Sequence, residues 1–112
     1  MNFGDVVSVD LGVPIGSEAG FVRPGIVLTA NAFLRFQPTS VFIVPLTTKR
    51  HPFPSHIKVE ADQTSGVPEP SWAQVELFRA VALERCSAPM GNVGPTVTHQ
   101  LLDILAMITG MP

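Results

Sequence analysis

Two short segments of this sequence carry side chains that suit phosphoryl chemistry. In the first, GSEAGFVRPG at positions 16–25, a glycine-flanked loop leads into Arg23 and Pro24. Because proline biases the residue before it toward extended backbone, we expect Arg23 at the border between this loop and a strand. A guanidinium placed there can grip a phosphate with two parallel hydrogen bonds and stabilise negative charge that develops on its oxygens. The structural alternative is an ion pair between Arg23 and Glu18.

The second segment is VFIVPLTTK at positions 41–49, an apolar run that ends in two hydroxyl residues. A hydroxyl at the end of a strand faces outward, so Thr47 or Thr48 could donate a hydrogen bond to a phosphoryl oxygen. Alternatively, a threonine in this place only satisfies the backbone of the following turn. The next three residues are all basic or titratable: Lys49, Arg50 and His51.

The charges of the chain are unevenly distributed. The formal net charge is −2, which taken alone argues against a nucleic-acid partner. Between Glu18 and Glu60, however, no acidic residue occurs, and that stretch contains Arg23, Arg35, Lys49, Arg50 and Lys58. Such a stretch predicts a local positive field on an acidic background. The alternative is a scatter of solvated charges without a common surface.

Several classes of protein are disfavoured. The single Cys86 cannot form an intrachain disulfide or supply several thiolates to zinc, and we expect it to fill space in the core. The three histidines are scattered, so we expect no metal and no cofactor. No apolar run reaches the roughly 18 residues of a membrane span, and the N-terminus lacks signal-peptide features. We therefore expect a cytoplasmic protein that does not enter a membrane.

The hydrophobic pattern predicts short strands. Residues 4–12, 23–29 and 40–46 give the strongest signals, with Val7, Val9 and Leu11 alternating against polar neighbours in the first. Weaker strand signals occupy 56–61, 71–76 and 77–83, around a turn-rich segment at 62–70. Pro45 should lie at a strand end or a bulge.

The C-terminal segment changes to a helical period. Its apolar stripe consists of Leu101, Ile104, Leu105 and Ile108. Gly94 is expected as the N-cap, Pro95 as the first helical residue and Gly110 as a left-handed C-terminal cap.

Together these elements predict the fold class. We expect a single domain, residues 1–112, that is mainly β (α+β): an SH3-like small antiparallel barrel or curved sheet with a C-terminal α-helix. With 46% hydrophobic residues in 112, such a domain has more apolar surface than one small core can bury, so a homodimer is expected.

Four blocks and the C-terminal segment, in this order, resemble one known family across nearly the full chain. The sequence is similar to the MazF/PemK/Kid family of mRNA-cleaving toxins of bacterial toxin–antitoxin systems. The matching blocks are Gly4-Asp5 with Val9-Asp10, the loop 16–18 leading to Arg23-Pro24, PLTT at 45–48, PFP at 52–54 and the segment 91–110.

The resemblance implies a dimeric, SH3-like toxin fold (the CcdB/PemK-like fold) and metal-independent cleavage of single-stranded RNA. The ribose 2′-hydroxyl would attack the adjacent phosphorus, leaving a cyclic phosphate and a 5′-hydroxyl. Arg23 would be the principal catalytic group, orienting the phosphate and protonating it or the leaving oxygen, and Thr47 would stabilise the phosphorane. Glu18 and Glu76 would be the candidate bases. A MazE-like antitoxin with an acidic, apolar tail would cover the basic face and the dimer groove.

Some positions depart from the family pattern and leave the general base and the base-reading contacts open. Leu77 stands where glutamine is usual, Ser8 where an aromatic residue often stands, and Ser17 where some members have a histidine. As an alternative, Glu18 and Glu76 are acids at the rim of the site that pair with Arg23 and Arg79. Trp72 and Phe53 could stack on bases or, alternatively, belong to the core. The expected RNA-binding residues are Ser17, Thr48, Lys49, Arg50, His51, Phe53, Lys58, Trp72 and Arg79.

Two other functions compete with RNA cleavage. CcdB-like poisons share the fold and trap DNA gyrase by binding without nuclease chemistry, and they resemble one another in a C-terminal tail with an aromatic residue. Here the tail is Thr109–Pro112 and the one tryptophan, Trp72, is internal. A catalytically inactive interaction domain would keep the core and lose Arg23 or Thr47, and both are present.

Overall fold

The computed structural model describes residues 1–110, so the last two residues of the tail compared above lie outside it. The chain forms one antiparallel sheet with strand order β4-β5-β3-β2-β1-β7, in which β6 also pairs with β3. A short helix α1 (Asn31–Leu34) lies between β2 and β3, and the long helix α2 (Gly94–Ile108) follows the sheet. The strands are β1 (Asp5–Asp10), β2 (Val22–Val27), β3 (Ser40–Thr47), β4 (His56–Val59), β5 (Ser71–Gln74), β6 (Arg79–Ala82) and β7 (Gly91–Asn92).

This architecture confirms the predicted mainly β class, a strongly curled antiparallel sheet followed by one helix. All six predicted strands are present, and α1 and β7 were not predicted. The two predicted strands at 71–76 and 77–83 are shorter, because Val75–Leu77 forms a 3₁₀ turn. Glu76 and Leu77 therefore lie on a turn.

The register of β3 explains this turn. β3 pairs with β5 at Thr47↔Trp72 and with β6 at Ile43↔Arg79. Four residues back along β3, from Thr47 to Ile43, thus correspond to seven residues forward along the β5–β6 segment, from Trp72 to Arg79. The β5–β6 segment therefore has three extra residues. The turn takes up these three residues, so β5 and β6 follow one another along the same edge of β3.

Pro45 lies inside β3, which corrects the expectation of a strand end or a bulge. It stands between the part of β3 that pairs with β6, Ser40–Ile43, and the part that pairs with β5, Leu46–Thr47. A proline has no N–H to offer a neighbouring strand, and at this exchange of partners β3 has no ladder pair on that edge.

Both faces of the sheet are buried, and successive residues point to opposite faces. On one face, the buried residues pack against Leu101 of α2, and we call this cluster the helix-side core. The buried residues of the opposite face form a separate cluster, which we call the second core. Val7, Val9 and Leu11 all lie in the second core, as their alternation predicted. Neighbours in sequence divide between the cores: Val6, Ile26 and Val44 in the helix-side core, and Val7, Val27 and Ile43 in the second.

The predicted start and end signals of helix α2 are present, but the helix begins one residue earlier than predicted. It begins at Gly94, one residue before Pro95, so that Gly94 is the first helical residue and Val93 precedes it as the cap. The Gly94 N–H donates to Asn92 Oδ1 at 2.8 Å. Gly110 has φ of +100°, the left-handed conformation expected after the helix. Across residues 1–110, no helix is long and apolar enough to cross a membrane.

Candidate active site

Arg23 and Thr47 lie on neighbouring strands, each at the border of a loop. Arg23 is the second residue of β2, as Pro24 predicted, and Thr47 is the last residue of β3. The two strands pair through Gly25↔Pro45. Continuing this register by two residues brings Arg23 opposite Thr47, and directly opposite residues in a sheet point to the same side.

That side is the one opposite helix α2. Val27 on β2 lies on the same face as Arg23, and Ile43 on β3 lies on the same face as Thr47, because each is an even number of residues away. Both Val27 and Ile43 belong to the second core. On β5, Ala73 belongs to the helix-side core, so its neighbours Trp72 and Gln74 point to the side of Arg23 and Thr47. The candidate site therefore continues the second core toward solvent at one end of the sheet.

The Arg23 guanidinium is half-buried and is held from two directions. Its Nε donates to the carbonyl oxygen of Gly20 at 3.2 Å, and Nη1 donates to Oε1 of the buried Gln74 at 3.4 Å. Within the described residues no carboxylate lies within 4 Å of it, so the alternative ion pair with Glu18 is not formed. Its positive charge is therefore available to a phosphate.

The loop before Arg23 is closed at its base. The Phe21 N–H donates to Gly12 O at 2.6 Å, and the Leu11 N–H donates to Phe21 O at 2.8 Å. Phe21 has φ of 60°, a left-handed conformation that costs a bulky residue about 1–2 kcal/mol. Such strain persists only where the surroundings impose it, so the closure of this loop is firmly defined.

Glu18 lies inside this loop, and its side chain is tied to loop backbone. The Ile15 N–H donates to Glu18 Oε1 at 3.0 Å, while the Glu18 N–H donates to Ile15 O at 3.2 Å. Gly20 keeps the loop compact, because a Cβ at this position would come within 2.3 Å of the Pro14 ring. The loop thus places one carboxylate near Arg23 without pairing the two.

The Thr47 hydroxyl accepts a hydrogen bond from the Lys49 N–H at 3.2 Å. This is the turn-satisfying role considered as the alternative for a threonine at a strand end. A hydroxyl that accepts one hydrogen bond still has its own O–H to donate. The contact fixes the position of the oxygen and leaves the proton free for a ligand.

A cavity of about 640 Å³ collects most of the residues predicted to be catalytic. Arg23, Thr47 and Glu18 all line it, and Gln74 and Leu77 form part of its wall. Of the predicted RNA-binding residues it contains Ser17, Thr48, Lys49 and His51. We call this the Arg23 cavity.

A second cavity, of about 550 Å³, adjoins the first at His51, which lines both. Arg50, Phe53 and Trp72, all predicted to bind RNA, line it together with His56. The rings of His51 and Phe53 stack with centroids 5.8 Å apart and an interplanar angle of 13°. We call this the aromatic cavity.

Beneath the aromatic cavity lies a buried imidazole. The side chain of His56 is 1% exposed, and its Nε2 donates to Glu76 Oε2 at 2.8 Å. Ser55 Oγ donates to the other carboxylate oxygen of Glu76, also at 2.8 Å. Partial burial raises the pKa of Glu76, but the hydrogen bonds from His56 and Ser55 outweigh it and lower the pKa below its usual value.

The structure does not bring every predicted residue into the two cavities. Glu76 lines neither of them and pairs with His56, not with an arginine. Lys58 Nζ lies 3.6 Å from Glu60 at a separate cavity, and Arg79 Nη1 lies 3.5 Å from Leu11 O. Arg35 lies beside Met1 and Asn31. The basic stretch of the sequence is therefore not one continuous surface.

Sequence reasoning missed Gln74 and the structural role of His56. A glutamine in a weak strand signal gives no sign that it contacts an arginine 51 positions away. Cys86 packs against the second core, and burial raises the pKa of its thiol, which agrees with a space-filling role. Among the side chains that the structure describes, no three histidine, cysteine or acidic groups cluster as a metal site would require.

Comparisons with known proteins give one consistent result. Residues 2–109 match the family model described as PemK-like, MazF-like toxin of type II toxin–antitoxin systems. The chain is 32% identical over 112 residues to the endoribonuclease MazF9 of Mycobacterium tuberculosis, an alignment that covers 96% of this chain and 94% of that protein.

Solved structures have the same fold. MazF from Deinococcus radiodurans superposes with a TM-score of 0.85 at 18% identity, over 99% of this chain and 97% of that one. An endoribonuclease from mycobacterial species, solved in complex with its cognate antitoxin, gives a TM-score of 0.78 at 20% identity, over 100% and 97% of the two chains.

Proposed function

The chain belongs to the PemK-like, MazF-like toxin family of type II toxin–antitoxin systems, and we propose that it cleaves single-stranded RNA without a metal ion, through attack by the ribose 2′-hydroxyl. The family and the endoribonuclease class expected from the sequence are confirmed by the match over residues 2–109 and by the identity to MazF9. The alternative of a CcdB-like gyrase poison is not favoured by these matches.

The observation that carries this proposal is the shared cavity of Arg23 and Thr47. In the proposed reaction, the 2′-oxygen forms a bond to phosphorus while the bond from phosphorus to the 5′-oxygen breaks. Negative charge grows on the non-bridging oxygens in the transition state, where the Arg23 guanidinium and the Thr47 hydroxyl stabilise it. The guanidinium and the hydroxyl are already held in place, so little reorganisation is needed on binding.

Of the two candidate bases, the geometry favours Glu18. Its carboxylate lies in the Arg23 cavity and has one oxygen tied to loop backbone, which leaves the other to accept the 2′-hydroxyl proton. Both oxygens of Glu76 are engaged by Ser55 and His56, and Glu76 lies outside the cavity. Glu76 is therefore proposed to hold the His56 ring in the wall of the aromatic cavity.

The aromatic cavity suits unstacked bases beside the cut. Proteins that read single-stranded RNA stack its bases on aromatic rings, and Phe53 and Trp72 offer such rings next to Arg50. Ser17, Thr48 and Lys49, in the Arg23 cavity, are proposed to contact the RNA near the scissile phosphate. Lys58 and Arg79 would reach only RNA that extends beyond the two cavities.

The expected partners are a second copy of this chain and an antitoxin. A number of large apolar side chains are exposed on the single chain, including Val13 at 83%, Ile15 at 80% and Phe36 at 82%. Exposed apolar area of this kind marks protein interfaces, which supports a homodimer and a MazE-like antitoxin. A cytoplasmic location, where RNA substrates occur, is part of the same proposal.

One experiment tests the chemistry. The purified chain is incubated with a long single-stranded RNA in excess EDTA, and the new 5′ ends are mapped to locate the cut. A matched RNA with a 2′-deoxy sugar at the mapped nucleotide should bind equally well and resist cleavage, because the nucleophile is missing. Efficient cutting of the deoxy substrate would mean that water is the nucleophile, and loss of cleavage in EDTA would mean that a metal ion is needed.

A further inference from the structure

We propose that His51 is the general acid that protonates the 5′-oxygen as it leaves, an assignment that rests on the proposed RNA cleavage. The residues placed so far supply a base and two groups that stabilise charge, and the family resemblance offers only Arg23 as a donor for the leaving oxygen. The Arg23 guanidinium is poorly suited to that task, because an arginine keeps its proton at any ordinary pH. An imidazole is the side chain best matched to proton transfer at that pH.

Position distinguishes His51 from the other two histidines. His51 is exposed and lines the Arg23 cavity together with Arg23 and Thr47. The imidazole of His56 is buried and already donates to Glu76. His99 lies on α2, with its side chain 80% exposed and 3.6 Å from Asp103. Of the three histidines, His51 is the one that lines a cavity with Arg23 and Thr47.

The His51 ring is also held in place, as a proton donor must be. It stacks on Phe53, and it also meets His56 edge-to-face, at a centroid distance of 5.7 Å and an angle of 85°. Phe53 and His56 meet edge-to-face as well, at 5.3 Å. Since Glu76 holds His56, the three rings form a supported cluster, and His51 is the member that lines the Arg23 cavity.

Charged and titratable groups on the surrounding elements line the same space. In the Arg23 cavity they are Arg23, Lys49, Glu18 and Glu69, and in the aromatic cavity they are Arg50 and His56. A phosphate bound at Arg23 would bring its negative charge into the space that His51 also lines.

The proton balance of the step is complete. Glu18 takes the 2′-hydroxyl proton as the 2′-oxygen bonds to phosphorus. The electron pair of the bond between phosphorus and the 5′-oxygen goes to that oxygen, which receives the proton of the His51 imidazolium. The products are a 2′,3′-cyclic phosphate and a 5′-hydroxyl. His51 is left neutral and Glu18 protonated, and both return to their starting forms by exchange with water.

A substrate with an easier leaving group provides the sharpest test. In RNA with sulfur in place of the 5′-oxygen at the scissile bond, the thiolate leaves without protonation. His51→Gln should lower the single-turnover rate on ordinary RNA by about 10²–10⁴, the usual contribution of general acid–base catalysis, and by less than about tenfold on the sulfur substrate. Equal losses on both substrates, or no loss on ordinary RNA, would overturn the assignment.

The pH profile gives a second readout that a merely structural role would not change. An acid must be protonated to act, so the wild-type rate should fall toward alkaline pH. In His51→Gln this fall should be absent, while the control His99→Ala should retain it. A fall of unchanged midpoint in His51→Gln assigns the proton to another group.

Failure of the His51 assignment and failure of the proposed RNA cleavage give different results. If the wild-type chain does not cut RNA at all, the proposed function fails and the acid assignment fails with it. If the wild-type chain cuts, Arg23→Ala is inactive and His51→Gln is as fast as wild type, only the acid assignment fails. Circular dichroism melts of all variants confirm that each rate belongs to a folded protein.

Discussion

Replacement of Arg23 by alanine should abolish cleavage and leave the fold in place. Loss of one donor that stabilises transition-state charge typically costs about 10²–10³ in rate, or about 2.7–4 kcal/mol. The cost to folding is smaller, because within residues 1–110 the guanidinium makes two hydrogen bonds, at 3.2 and 3.4 Å, each contributing about 0.5–1.5 kcal/mol. For a domain of this size we expect a melting temperature lower by several degrees, about 4 °C per kcal/mol.

The assay is single-turnover cleavage of end-labelled RNA in EDTA, with a thermal melt of each variant. Arg35→Ala is the matched control, because this exposed arginine lies beside Met1 and Asn31, away from both cavities. Arg23→Lys keeps the charge but loses the two-pronged donor geometry, so it should fall between wild type and alanine. A folded Arg23→Ala protein that cleaves within tenfold of the wild-type rate would refute the role given to this guanidinium.

Further substitutions at five residues test the surroundings of the site. Thr47→Ser should stay near the wild-type rate and Thr47→Ala should lose about 10- to 100-fold, the value of one hydrogen bond to a charged group; equal losses would indicate packing instead. Glu76→Gln should lower the free energy of unfolding at pH 7. Because the folded-state pKa of Glu76 is lowered, this difference from wild type should shrink as the pH falls from about 5 toward 3, and a constant difference in pH-dependent urea unfolding would contradict it. Lys49→Ala and Arg50→Ala should each reduce the slope of log affinity against log salt by about 0.7, with a smaller change for Lys58→Ala; an unchanged slope in the Lys49–Arg50 double variant would place the RNA elsewhere.

The parts of this molecule that could be predicted from sequence are those that local rules determine. Pro24 acts on its neighbour, so the position of Arg23 at the start of a strand follows from two adjacent residues. The β-branched runs and the helical stripe depend on periods of two and 3.6 residues, and the corresponding strands and helix α2 are present. Gly110 was predictable for the same reason, because a left-handed cap needs only its own backbone freedom.

The parts that could not be predicted depend on register between distant strands. The three-residue excess that forms the turn around Glu76 exists only once β5 and β6 both pair with β3. The same holds for the contact between Arg23 and Gln74. The linear run of basic residues gave no indication that Lys58 would turn toward Glu60, because side-chain direction and neighbouring strands decide which charges share a surface.

Because the first strand pairs with the last, the sheet cannot be completed on the ribosome until β7 has been synthesised. β1 pairs with β7 at Val6↔Gly91, and the core beneath the sheet is closed by α2, which is made later still. A growing chain that has reached residue 60 already carries Arg23 and Thr47, but it lacks β5, which supplies Gln74 and Trp72 to the cavities. The messenger being translated is itself a single strand of RNA. Because β5 and the closing helix α2 are made after Arg23 and Thr47, we expect the proposed cleavage site to be complete, and able to cut that message, only after most of the chain has been synthesised.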